Sequence, residues 1–355
     1  MKHYSHLLPG VPFALGAAIL FGVSTPLSKL MLGTIDPWLL AGILYTAAGL
    51  GLLMFKTLLS LTGNPTSEAP LRKSDYLWLA AIILIGGMIA PLMLMFGLAL
   101  TSASQASLLL NLEGLATMMI AWLVYRENVD RQILIGAFAI LCGAVVLTWN
   151  DSKLGFDHGG LFIVGACVAW GIDNNLTRKL SSSDPIQIAM IKGLTAGCVN
   201  LILAFALGAK LPTIGFIASA SLLGFLSIGV SLVFFMLGLR HLGTARTGAY
   251  FSLAPFVGAI LAVFLLRESV TLQILVAGFF MLVGLWLHLA ERHEHDHVHA
   301  ELEHDHRHSH DEHHAHKHDA DSTEPHSHFH RHEQLRHKHI HYPDLHHRHT
   351  HSRTT

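Results

Sequence analysis

The sequence predicts an all-α integral membrane protein, with ten transmembrane helices forming an inverted five-plus-five repeat and a disordered histidine-rich tail behind them. Three observations predict this. Of the 355 residues, 52% are hydrophobic and only 13% are charged, about half the charge of an ordinary soluble domain. Residues 291–355 hold 13 of the acids and 8 of the Lys and Arg, so the first 290 keep just 11 acids and 15 bases. Within that body, apolar runs approach or exceed the roughly 20 residues that cross a bilayer. The second half of the body also repeats landmarks of the first.

Hydropathy and helix breakers place spans near residues 11–32, 37–61, 76–100, 102–125, 131–149, 158–178, 185–207, 213–239, 243–266 and 270–289. The first has the length of a membrane span and no obvious cleavage site, so it is expected to be an anchor and not a signal peptide. Connections are short except 62–75, where Gly63, Asn64, Pro65 and several charges mark an exposed loop. Cys142, Cys167 and Cys198 lie inside apolar runs without metal-ligand spacing. They read as small buried hydrophobes, and neither disulfides nor a cysteine metal site is expected.

Orientation follows from basic residues. With the N-terminus inside, the cytoplasmic side collects Lys2, Lys56, Arg72, Lys73, Arg126, Arg131, Arg178, Lys179, Arg240 and Arg246. The opposite side receives Lys29, Lys153, Lys210 and Arg267. Ten against four favours both termini in the cytoplasm, since the number of spans is even.

The run Gly97-Leu98 to Arg126-Glu127 aligns, at a shift of 141, with Gly238-Leu239 to Arg267-Glu268. Only six of 31 positions are identical, so the Arg-Glu pair closing an apolar span carries the match. Phe21-Gly22, Lys29 and Asp36-Pro37 likewise echo Trp170-Gly171, Arg178 and Asp184-Pro185. This divides the chain into residues 1–150, 151–290 and a tail 291–355. Five is odd, so two such halves insert with opposite orientation, a design in which halves rock about a midplane site.

Several stretches carry a resemblance: Asn111-Leu112-Glu113-Gly114, Arg126 to Arg131, Trp170 to Lys179 and His241 to Tyr250. Over residues 11–290 the chain resembles a bacterial EamA-type branch of the drug/metabolite transporter superfamily. The resemblance implies a ten-helix carrier in the bacterial inner membrane but no particular solute, because relatives move amino acids, nucleobase-like metabolites, sugars and drugs. Many members have proline in the fourth span near Gly114. Here Glu113-Gly114 stands there, while Pro255 is kept at the matching point.

Three ionisable residues fall well inside spans, where an acid or lysine costs about 2.5–3.5 kcal/mol and so faces a partner or a wet cavity. Asp173 precedes the Arg178-Lys179 end of its span by about 8 Å of helix rise, and Lys192 follows Pro185 by about 10 Å. The two therefore lie at similar depth, and a salt bridge between them is geometrically easy. It would lock two helices without any ligand. Asn174, Asn175 and Asn200 suit either interhelical hydrogen bonds or, for the first two, the wall of a solute cavity. Glu113 sits near the midplane with no obvious basic partner except Lys192. A carboxyl that gains and loses a proton from alternating sides is what proton or cation coupling requires. A permanently neutral acid bonded to a neighbouring helix is the alternative.

Ser104, Ser107 and Asn111 share one face of the fourth span, and Gln105 and Glu113 lie near another. Thr247, Tyr250 and Ala254 form the corresponding stripe in the ninth. These stripes serve either helix packing or the border of a central pathway. Trp170, Tyr45 and Phe21 can supply aromatic walls.

Residues 293–351 contain 23 of the 28 histidines. His295, His297 and His299, then His304, His306, His308 and His310, then His326, His328 and His330 recur as His-x-His among acids. Low hydrophobicity and low complexity predict disorder. Neutral imidazole suits Zn, Ni, Co and Cu, so a multisite, low-specificity buffer for a divalent metal is expected. With neutral imidazoles the tail carries five more acids than bases, and acidification through about pH 6.5 would make it strongly positive. That charge change could move it onto anionic lipid or off the mouth of the carrier.

The expectation is a secondary carrier of a small metabolite, with Glu113 as the candidate for proton coupling and the tail as a metal- or pH-responsive cytoplasmic appendage. A divalent-metal exporter is the second reading, although its path would rest on Glu113, Asp173 and asparagines, a sparse set of hard ligands. A membrane-anchored metal sensor or scaffold is the third. No phosphate-binding glycine loop or nucleophile beside a base points to an enzyme or to nucleic acid. No cofactor is required, and partners are the bilayer, a solute and tail-bound metal, with the chain a monomer or homodimer.

Overall fold

The computed structural model describes residues 10–62, 71–125, 131–150, 155–177, 180, 183–242 and 244–289, and in the tail 294–299, 302–308, 326–332 and 335–340. Helix α1 runs Gly10–Leu32 and α2 runs Pro37–Leu61, entered through Asp36, whose carboxylate accepts from the amides of Trp38 and Leu39. Helix α3, Tyr76–Ile82, passes through a π-helical segment, Ile83–Ile89, into α4, Ala90–Leu100. A break at Leu110 separates α5, Ala103–Leu109, from α6, Asn111–Tyr125. Helix α7, Arg131–Thr148, ends in a small hairpin of β1, Trp149–Asn150, and β2, Gly155–Phe156.

The second half follows the same plan. Helix α8 is His158–Thr177 and α9 is Pro185–Ala206, capped by Asp184 as α2 is by Asp36. Helix α10, Ile214–Gly224, passes through a π-helical segment, Phe225–Val230, into α11, Ser231–Leu242. A break at Ser252-Leu253 parts α12, Thr244–Phe251, from α13, Ala254–Leu266, and α14 is Leu272–Leu289. The π segment and the broken rod thus recur at the shift read from sequence. The described residues form ten rods where spans were expected, and seven of them are long and apolar enough to cross a membrane. Their outward side chains, such as Met54, Phe138 and Phe264, are exposed hydrophobics, as a lipid solvent requires.

Packing repeats with the sequence as well. Helix α1 lies chiefly against α11 and α13, and α8 lies chiefly against α4 and α6, so each half lends its first rod to the other. Helices α2 and α9 pair with each other, as do α7 and α14. Small residues permit these crossings, since helices in lipid associate by close van der Waals packing. A Cβ on Gly22 of α1 would run into the Ala254 carbonyl and Val257 of α13. One on Gly171 of α8 would run into Ala116 and Thr117 of α6, the matching place in the other half.

The fourth and ninth rods are broken, which interrupts the continuous face read from sequence over the fourth. Among the described tail residues, β3 (Glu294–His299) pairs antiparallel with β6 (Leu335–Ile340), and β4 (Leu302–His308) with β5 (His326–His332). Alternating His-x-His has the period of two that a strand shares, so repeat and ladder are compatible.

Candidate functional site

Glu113 lies in the first turn of α6, half-buried just beyond the Leu110 break. Its partner is a neutral amide. Asn174 Nδ2 on α8 donates to Glu113 Oε1 at 3.0 Å and lies 3.2 Å from Thr117 Oγ1, while the Thr117 hydroxyl donates to the Glu113 carbonyl at 2.9 Å. Asn175 instead ties α8 to α6 through backbone, donating to Thr117 O at 3.0 Å and Gly171 O at 2.8 Å. The two asparagines, alike in sequence, have different work.

Lys192 is not available to Glu113. Its Nζ donates to Asp173 Oδ2 at 2.6 Å, and both side chains are buried, at 11% and 6% exposure. The depth argument from sequence placed this pair correctly. Thr177 lies near the same carboxyl, but Asp173 Oδ1 has no hydrogen-bond partner among the described residues. The π segment makes room for the pair: a Cβ on Gly86 would collide with the Asp173 carboxyl, and Gly87 lies beside Ala196 and the Lys192 stem.

The π segment also leaves a carbonyl free. Its bonds run five residues back, as Ala90 N donates to Ile85 O. The next donor would be residue 91, which is proline and has no N–H. The Gly86 carbonyl that Pro91 cannot satisfy accepts instead from Trp170 Nε1 at 3.1 Å and Tyr45 OH at 3.3 Å. Two of the three aromatic residues singled out in sequence thus hold a backbone group in the middle of the protein. The third, Phe21, packs edge-on against Trp170 at 6.1 Å and continues to Phe251 at 5.3 Å.

Other expected positions separate. Asn111 Nδ2 donates to Leu108 O at 2.9 Å and reaches Met281 Sδ at 3.8 Å, so it serves the helix break. Gln105 stays at the far end of α5, accepting from Thr101 and Ser102 and donating to Leu147 O at 3.4 Å. The expected common face of Gln105 and Glu113 assumed a straight helix, which the break removes. Tyr250 is half-exposed on α12. Asn200 is fully buried, and neither of its amide atoms is bonded among the described residues. Cys167 is buried as expected, whereas Cys198 is exposed on the apolar outer face. In the tail, His295 stands opposite His339 and His297 opposite His337, with His299 opposite Leu335. His304, His306 and His308 stand opposite His330, His328 and His326, while His310 lies outside the described residues. Among the described residues no three His, Cys, Asp or Glu gather where a metal could be held.

Two contacts were not foreseen. Lys29, at the end of α1, donates to the carbonyls of Leu98 at 2.6 Å and Thr101 at 2.8 Å, where α4 ends. Glu268, just past the left-handed Arg267 (φ 52°) that ends α13, accepts from Ala103 N at 2.7 Å and Ser104 N at 2.9 Å, where α5 begins. The recurring Arg-Glu pair was the available signal. Its partner, 165 residues earlier in the chain, was not.

The ten-rod bundle brings a carboxyl with an amide partner and a closed ion pair onto neighbouring helices, and comparison with known proteins identifies its family. The EamA-like transporter family model matches twice, over residues 8–149 and 158–290. The chain belongs to the EamA-like transporter family. This EamA-like protein is a multi-pass membrane transporter of the drug/metabolite type. It is 31% identical over 299 residues to an uncharacterized transporter of Methanothermobacter thermautotrophicus, covering 80% of this chain and 87% of that one. It is 22% identical over 273 residues to the uncharacterized transporter YyaM of Bacillus subtilis, covering 74% and 86%. A solved crystal structure, described only as that of a protein, superposes with a TM-score of 0.60 at 18% identity, covering 79% of this chain and 96% of its own. That last likeness is one of fold.

Proposed function

We propose that this transporter is a secondary carrier of a small organic metabolite whose movement is coupled to a proton at Glu113. The observation that carries the reading is the contrast between two mid-depth acids. Asp173 is neutralised by Lys192 at 2.6 Å, whereas Glu113 has the amide of Asn174 and no cationic partner among the described residues. An amide donor suits a carboxyl in either protonation state, because a second oxygen stays free to hold or release the proton. The doubled packing of the halves supports rocking about this level.

The test uses proteoliposomes loaded with a pH-sensitive dye and offered amino acids, nucleobases, sugars and organic amines in turn. A solute that shifts the internal pH with the intact protein is expected to exchange without that shift in Glu113→Gln. A pH shift that survives in Glu113→Gln removes Glu113 from the coupling step.

By the same reading both termini face the cytoplasm of a bacterial inner membrane, and the tail is a divalent-metal- or pH-responsive appendage. The cross-strand histidine pairs support this, because facing positions on paired strands bring their Cβ atoms within about 5 Å. Metal export is the second reading, favoured by that histidine density alone. Truncation after Arg292 is expected to change cellular tolerance of Ni, Co, Zn or Cu while leaving organic-solute exchange in place. Unchanged metal content with either form ends the export reading.

A further inference from the structure

The two ends of the bundle, matched by the internal repeat, are not in the same state. Ser107 on α5 is 1% exposed and lies against Gly258 of α13, where an added Cβ would meet the Ser107 hydroxyl and the Gly22 carbonyl. Its counterpart at the shift of 141 is Gly248 on α12, where an added Cβ would meet nothing within 4 Å. Helices α5 and α13 pack along a substantial seam, and among the described residues the matching helices α12 and α6 make no comparable one. Among the described residues, one mouth is shut and the other is parted.

Lys29 and Glu268 both sit at the shut mouth, and both grip the connection between α4 and α5. Their own elements, α1 and α13, pack with each other, and α1 also packs with α11, whereas α4 packs chiefly with α8. The Lys29 contact therefore spans the boundary between two packed groups of helices, and the Glu268 contact closes the end of the α5–α13 seam. Both are charge-assisted bonds to backbone groups, roughly twice as strong as neutral ones. They also satisfy helix-end carbonyls and amides that would otherwise lack partners in a protein surrounded by lipid. Opening this mouth requires releasing all of them together.

We infer that Lys29 and Glu268 form a clasp that closes the α5–α13 mouth, making them positioning residues that set how the carrier divides its time between its two open states. The inference rests on the carrier reading above, yet it concerns only which mouth is shut and what holds it.

The experiment uses the full chain in membranes, with Cys142, Cys167 and Cys198 replaced by serine and one reporter cysteine introduced at a time. Ser107→Cys reports the shut mouth and Gly248→Cys the parted one, each read as its rate of reaction with a membrane-impermeant maleimide. In the parent, the cysteine at 248 is expected to react readily and the one at 107 slowly. Adding Glu268→Gln or Lys29→Met is expected to speed reaction at 107 at least tenfold and to slow reaction at 248. Unchanged rates at 107 overturn the clasp. Faster reaction at both positions also overturns it, because that marks general loosening. Faster reaction at 107 with no change at 248 upholds the clasp while contradicting the rocking carrier on which alternating access depends.

Discussion

Lys192→Met is expected to destabilise the transporter by about 3–5 kcal/mol, the usual cost of removing one partner from a buried ion pair. The methionine fills the same space, so the loss is electrostatic. It leaves the Asp173 carboxyl enclosed by α8, α9 and the π segment with no cation, and with Oδ1 already lacking a partner. The double variant Asp173→Asn/Lys192→Met is expected to recover most of that loss, because replacing both partners avoids a stranded charge. Thermal melting of the detergent-purified protein measures both. A single variant as stable as the parent would show that the pair contributes little to holding α8 against α9.

The second large effect is expected at Gly86. Alanine there places a methyl group inside the space of the Asp173 carboxyl, which must swing off Lys192 or push the π segment aside. Overpacking alone costs about 1–3 kcal/mol, and disturbance of the ion pair adds to it. Gly86→Ala is therefore expected to melt far below the parent, while Gly33→Ala, where an added Cβ meets nothing within 4 Å, is expected to melt close to it. Combining Gly86→Ala with Asp173→Ala and Lys192→Met frees the space and removes the stranded charge. The triple variant should therefore be more stable than Gly86→Ala alone, and a triple variant no better places the strain elsewhere.

The residues legible in advance were those whose cost is intrinsic. A charge in lipid announces itself, and counting helix rise from Pro185 and from Arg178 was enough to bring Lys192 level with Asp173. The ten rods were legible for a similar reason, since lipid leaves the backbone few alternatives to helix. What sequence could not supply was the neighbour chosen by tertiary packing. Nothing local distinguishes Asn174, which holds Glu113, from Asn175, which binds backbone one position later. No proline stands beside the break at Leu110, so Gln105 and Glu113 were set on one face of a helix that does not continue. The orphan Gly86 carbonyl was within reach of inspection, because Pro91 lies five residues on, but only once a π turn is known to be there.

That carbonyl has a mechanical consequence. Tyr45 comes from the first half and Trp170 from the second, and both are fastened to one backbone atom beside the Asp173–Lys192 bond. In the proposed rocking carrier the middle of the molecule would be the fulcrum, stitched from both halves, with the clasped contacts at the far end of a lever. From Gly86 to Leu98 the helix rises about 18 Å. A tilt of roughly 10° about such a fulcrum carries that far end about 3 Å, enough to break every hydrogen bond there. Large openings at the ends need no comparable rearrangement at the centre.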